Sequence, residues 1–224
     1  MIYAQHGIER FLTVPFHYPN CNTDKVLLAK SWNHEILGFA DFRLHEDNSA
    51  FLSYICVAEE ARGRGIATGL ISSFLEENPH VTHLGLDVFD DNTAAKALYE
   101  KLGFETQSAS AWITRPIPEP HGAVSIASLP AAVSAFEAHG FCELDVRRGI
   151  ERLNMGRIGE EVLRCPSAAS FDDDGLLSAV RSAFPELKEA FAIIPVSEVP
   201  AVTSKHEIAT VSNRMRLIID LNGN

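Results

Sequence analysis

Apolar positions between residues 25 and 57 fall into three runs, KVLLAKSW, EILGFADFRL and AFLSYICV, split by the polar turn formers Asn33-His34 and HEDNS. Runs of this length, rich in apolar and aromatic residues and bounded by turn formers, predict an antiparallel meander. The period then changes. Ile66, Leu70, Ile71, Phe74 and Leu75 recur at the spacing of one helix face, and Asn78-Pro79 stops that helix. HLGLDVF (83–89) reads as a short buried strand. Asp90, Asp91 and Asn92 offer caps for a second helix, TAAKALYEKL, which Gly103 closes. FETQ and SAWITRP then predict a final strand pair, so the order is β-β-β-loop-α-β-α-β-β.

PIPEPHG (116–122) holds three prolines and a glycine and is the clearest linker in the chain. Beyond it the pattern predicts a strand at 123–127, a helix at 129–139, strands at 142–152 and 157–164, a helix at 174–188, and strands near 190–197 and 207–220. That is a small α/β sandwich with an extra strand. The expected division is therefore 1–117 and 118–224. One internal echo crosses it: ALYEKLGFE (97–105) resembles SAFEAHGFC (134–142), with Tyr99 over Phe136 and Gly103 over Gly140. A decayed duplication would give this, and so would any helix that ends in glycine and enters a strand.

Composition narrows the function classes. The chain has 224 residues, 46% hydrophobic and 22% charged, as expected for a globular protein. Its net charge is −11, with 15 acids against 9 bases in residues 1–117 and 15 against 10 in the remainder. No basic half exists to neutralise a phosphate backbone, which disfavours nucleic acid as a partner. No apolar run approaches the roughly 20 residues of a membrane helix, and MIYAQHGIERF does not read as a secretory signal. Cys21, Cys56, Cys142 and Cys165 are widely spaced with no CxxC. A disulfide framework or zinc site is not expected, and a cytoplasmic location is.

The stretch EEARGRGIATGL (59–70) lies between a strand and a helix. Backbone donors at the helix start, the helix dipole and the arginines converge on one spot, and the glycines let a ligand come close. A phosphate or pyrophosphate suits such a loop. A Walker loop needs GK[ST], and no GK occurs in the chain; G-x-G-x-x-G would need glycine where Thr68 stands. The run Arg62-Gly63-Arg64-Gly65-Ile66-Ala67 instead resembles the acetyl-CoA loop of the GNAT N-acetyltransferase superfamily, [QR]-x-x-G-x-[GA]. The family's second motif, N-x-x-A-x-x-x-Y-x-x-x-G-F, stands as Asn92, Ala95, Tyr99, Gly103 and Phe104.

The resemblance covers residues 25–115 and implies a GNAT-like mixed sheet with splayed central strands flanked by helices; with the second small α/β domain read from the pattern beyond residue 117, the expected fold class is α/β (α+β). Acetyl-CoA would be a co-substrate, with no metal. Main-chain groups along Ile55, Cys56 and Val57 would hold the pantetheine arm. Arg62, Gly63, Arg64, Gly65, Ile66, Ala67 and Thr68 would hold the pyrophosphate, and Asn92 and Ala95 would border the arm. An amine would attack the thioester directly, an N–H between Ser53 and Val57 would stabilise the oxyanion, and Tyr99 would protonate the leaving thiolate.

The residues leave the general base open among Asp41, His45, Asp47, Tyr54 and Glu59, each of which is also readable as a surface or turn residue, as is His34. Asp172-Asp173-Asp174 reads as helix capping rather than a metal site. Only 24 residues precede Lys25, where the family has a strand and two helices that wall the amine pocket. Residues 118–224 are expected to supply that wall, by folding back or across a homodimer, with Phe11, Phe16, His17 and Tyr18 at the mouth. Alternatively they form a degenerate repeat. The function expected is transfer of acetyl to a small-molecule or protein amine, the alternative a non-catalytic acyl-CoA sensor or scaffold.

Overall fold

The computed structural model describes residues 7–18 and 24–219; Cys21 lies outside them, as does the Phe16 side chain. In chain order the elements are α1 (Ile8–His17), β1 (Asp24–Lys30), β2 (Ile36–Leu44), β3 (Ser49–Val57), α2 (Ile66–Glu77), β4 (His83–Phe89), α3 (Thr93–Lys101) and β5 (Glu105–Pro116). There follow β6 (Ser125–Ala127), α4 (Leu129–His139), β7 (Phe141–Arg148), β8 (Glu151–Ile158), β9 (Val162–Cys165), α5 (Ala168–Asp172), α6 (Asp174–Ala183), β10 (Glu189–Pro195) and β11 (Glu207–Ile218). No helix among the described residues is long and apolar enough to cross a membrane.

The described residues form two compact units. The first takes those of Tyr18–Ala109 with those from Ser212 onward; the second takes those up to His17 with Ser110–Val211. Within the first unit β1, β2 and β3 form the antiparallel meander. The chain then crosses through α2 and returns as β4, parallel to β3. β11 completes the unit, antiparallel to β4 from Ser212↔Phe89 to Ile218↔His83. Alternation on β2 buries Gly38, Ala40 and Phe42. The helix period of α2 buries Leu70, Ile71 and Phe74. Phe42 and Phe74 are both fully buried, with ring centroids 3.9 Å apart.

Within the second unit β7, β8 and β9 form a meander, α5 and α6 make the crossover, and β10 returns parallel to β9. β5 then pairs antiparallel with β10. Strand directions repeat those of the first unit, but the fifth strand of each comes from the other half of the sequence. β5 follows α3 of the first unit and pairs in the second; β11 follows β10 of the second and pairs in the first.

Several sequence expectations are corrected. The pair FETQ and SAWITRP is one strand of 12 residues, because TQSAS has neither Gly, Pro nor Asn to turn the chain. The two strands expected between 142 and 164 are three, divided by turns at Gly149 (φ 62°) and Gly159 (φ 59°). The helix expected to run to 188 stops at Ala183, before Phe184-Pro185. PIPEPHG does not separate the units: both its flanks lie in the second one. Ile117 is 3% exposed there, and Arg181 donates to the carbonyls of Ile117 and Pro118. The echo joins positions that are not equivalent. Gly103 leads into β5, the fifth strand of its sheet, whereas Gly140 leads into β7, which opens a meander.

Met215 of β11 is fully buried in the first unit's core. Met215→Ala is expected to lower the unfolding free energy by about 2–5 kcal/mol, read from urea denaturation.

Candidate acetyl-CoA site

The site begins where two strands part. β3 and β4 pair from Ser49↔His83 to Leu52↔Leu86 and no further. On its other edge β3 stays paired with β2, but the register shifts there: Asp41 faces Tyr54 while Phe42 faces Leu52, so Ser53 is the extra residue of a bulge. A bulge bends its strand and increases the local twist. From Ile55 to Val57 the edge of β3 towards β4 therefore borders a cleft of about 680 Å³.

The loop after β3 closes one end of this cleft. A single 3₁₀ turn (Glu59–Ala61) leads to Arg62, whose Nε donates to the Val57 carbonyl at 3.3 Å. Gly63 and Gly65 have φ of 75° and 79°, and a Cβ built on either meets nothing within 4 Å. Gly65 is the N-cap of α2, and no side chain caps that helix. The first-turn N–H groups of α2 thus keep their donor capacity for a ligand, in the field of the helix dipole. Arg62, Gly63, Gly65, Ile66, Ala67 and Thr68 all line the cleft. Arg64 does not: its guanidinium turns back to donate to the Glu60 carbonyl at 2.7 Å.

The opposite wall is α3. Asn92, Ala95 and Tyr99 line the cleft, as the motif implies. Of the three capping candidates Asn92 is the N-cap, its side-chain oxygen accepting from the Ala95 N–H at 3.2 Å. Asp90 instead accepts from Lys96 and from Asn213 of β11. Tyr99 is 6% exposed and packs on Phe104, and burial raises its phenol pKa above the ordinary tyrosine value. Ala94, Leu98 and Lys101 also line the cleft. The sequence reading missed them, although their i, i+4, i+7 spacing marks one helix face.

The other candidates scatter. His45 and Asp47 are tied to Ser49 in the β2–β3 turn, at the paired end of β3, and the Ser49 hydrogen bonds hold the Asp47 carboxyl below its usual pKa. His34 is a turn residue with φ of 66°, and Glu59 is exposed in the 3₁₀ turn. Asp41 is half-buried, and burial first, then Asp24, raises its carboxyl pKa to about 6. Phe11, His17 and Tyr18 do not line the cleft. The Phe11 ring meets His139 and Phe141 edge-on inside the second unit. Among the described residues no group of three His, Cys, Asp or Glu is placed to hold a metal ion.

In the second unit the corresponding helix starts are filled from within. Ser167 and Ser170 cap α5 reciprocally. Asp173 caps α6, accepting from the Leu176 N–H at 2.8 Å, and Arg148 pairs with the same carboxylate. Asp172 accepts from Thr203 and Ser204, and Asp174 from Arg115. A protein carboxylate thus sits on the donors that Gly65 leaves open in the first unit.

Residues 4–104 match the acetyltransferase (GNAT) family. The chain is 36% identical over 86 residues to GCN5-related N-acetyltransferase 7, chloroplastic, of Arabidopsis thaliana; the match spans 37% of this chain and 31% of that protein. The solved structure of an acetyltransferase candidate from Pyrococcus horikoshii superposes with TM-score 0.62 at 18% identity, covering 96% of this chain and 79% of that one. A second, from Thermoplasma acidophilum, gives TM-score 0.53 at 11% identity, covering 87% and 78%. These two extend the likeness of fold into the second unit.

Two glycines of the same helix should respond oppositely to a methyl group. Gly65→Ala is expected to cost about 1–2 kcal/mol, because its φ is left-handed. Gly69→Ala, inside α2 with open space around it, is expected to gain about 0.5–1 kcal/mol. Chemical denaturation of both variants measures the contrast.

Proposed function

We propose that the first unit transfers an acetyl group from acetyl-CoA to a primary amine in a ternary complex. The observation that carries this reading is one cleft bounded by an uncapped, glycine-led helix start on one side and a buried tyrosine on the other. The pyrophosphate would take the N–H groups around Gly63–Thr68, and the pantetheine arm would lie along Ile55–Val57 where β4 has left that edge free. The thioester group supplies the activated acyl carbon. Strand N–H groups between Ser53 and Val57, held in place by pairing with β2, would meet the developing oxyanion without reorganising. Tyr99 would give its proton to the departing sulfur. Its raised pKa keeps that proton in place through neutral and mildly alkaline pH.

One site per chain follows. The second unit has a 3₁₀ turn (Val196–Ala201) where α3 stands between β4 and β5, and the starts of α5 and α6, its crossover helices, are already capped. The second unit is read as a repeat of the first that has lost its ligand loop.

Isothermal titration is expected to give one equivalent of acetyl-CoA per chain, and thiol release against a panel of small and peptide amines is expected to show turnover. Binding without turnover on any amine would favour a sensor. Tyr99→Phe should lower kcat about 100-fold or more with the dissociation constant of acetyl-CoA little changed. Cys56 is exposed and lines the cleft, so acetyl-CoA should protect it from alkylation, mapped by peptide mass.

A further inference from the structure

Direct attack on the thioester needs a neutral amine, and among the described residues none that lines the cleft is a carboxylate or histidine. The nearest such group in the register is one strand back. Asp41 of β2 stands opposite Tyr54, the residue before Ile55, where the lining of the cleft by β3 begins. The bulge at Ser53 falls between this pair and the next, so β3 bends at the point Asp41 faces. Opposed strand residues lie about 4.5–5.5 Å apart between Cα atoms, which puts Asp41 one strand away from the edge of β3 that borders the cleft.

Its surroundings leave Oδ1 of Asp41 buried and without a hydrogen-bond partner among the described residues. The charged and titratable groups facing it are Asp24 from β1, Arg43 from its own strand and Tyr54 from β3. Arg43 is engaged by Asp24, its Nε donating at 3.1 Å. A half-buried carboxylate with an unpaired oxygen, beside a second carboxylate, is a costly group to keep for packing alone. It is suited to accepting a proton.

We infer that Asp41 is the proton acceptor for the amine. This rests on the acetyltransferase reading. The ammonium substrate gives one proton through water to Asp41, and Asp41 later passes it to solvent. The free amine attacks, the C–N bond forms and the C–S bond breaks. The second N–H proton, released as nitrogen becomes an amide, replaces the one that Tyr99 gives to sulfur. A carboxyl whose pKa is raised to about 6 is ionised and ready above that pH, and is a stronger base than an exposed aspartate.

Asp41→Asn tests the assignment by two routes. In wild-type enzyme kcat/KM should rise with pH through about 6. In the variant this limb should vanish and kcat/KM at pH 7.5 should fall about 100-fold, with acetyl-CoA affinity unchanged. Thermal unfolding needs no substrate. A carboxyl with folded pKa raised from 3.8 to about 6 contributes its stability fully below about pH 4 and loses it as pH rises through 6. The permanently neutral variant should therefore melt higher than wild type at pH 8, and the gap should close in acid. A variant that keeps the acid limb, or melts lower at pH 8, overturns the role of Asp41 alone. A wild-type protein that binds acetyl-CoA but turns over no amine overturns the acetyltransferase reading, and this assignment with it.

Discussion

β3 and β4 are hydrogen-bonded from Ser49 to Leu52 and then separate. A parallel pair that separates leaves backbone donors and acceptors along each edge, and these groups need partners. Each feature of the site follows from that gap. The Ser53 bulge lets β3 bend away while remaining paired with β2. The Gly63–Gly65 turn brings the α2 start to the mouth of the gap, and α3 brings Asn92 and Tyr99 to its other side. Because β3 is held on its far edge, its free edge is rigid, and a ligand laid along it would meet preset donors at little entropic cost.

The gap stays open only because the sheet is closed elsewhere. β4 is secured on its second edge by β11, whose Met215 fills the core among Leu84, Leu86 and Tyr99. Asn213 of the same strand holds Asp90 ahead of α3. A strand from the last tenth of the chain thus supports the α3 wall of the cleft. The second unit receives β5 in the same way. Neither half of the sequence contains all the strands of its own unit.

The two units also differ in how the start of a helix is filled. Both have unpaired donors at a helix N-terminus. In the first unit a glycine N-cap adds no side chain. In the second Asp173 supplies a carboxylate to the same kind of donors, and Arg148 neutralises it. An internal anion removes both the hydrogen-bonding capacity and the positive field that an incoming phosphate would use.

Local spacing made the first unit legible. Each strand of the meander, the amphipathic α2, the glycine loop and the Asn92–Tyr99 helix is written within a dozen consecutive residues, where side-chain period and backbone preference act directly. Pairing partners were not legible, because strand pairing joins residues far apart in sequence and many pairings satisfy the same alternation. The exchange of β5 and β11 left no local mark, so PIPEPHG passed for a domain linker although its carbonyls are bound by Arg181. Asp41 was one of five acid–base candidates that the sequence ranked equally. Only the register opposite Tyr54 beside the bulge, and the burial that comes with it, separates it from Asp47, whose carboxyl is tied up in its own turn. Residue spacing alone determined what ligand the loop suits. Which strands enclose the site, and which carboxylate stands beside it, was decided by tertiary structure, since burial and cross-strand neighbours do not exist until the sheet has closed.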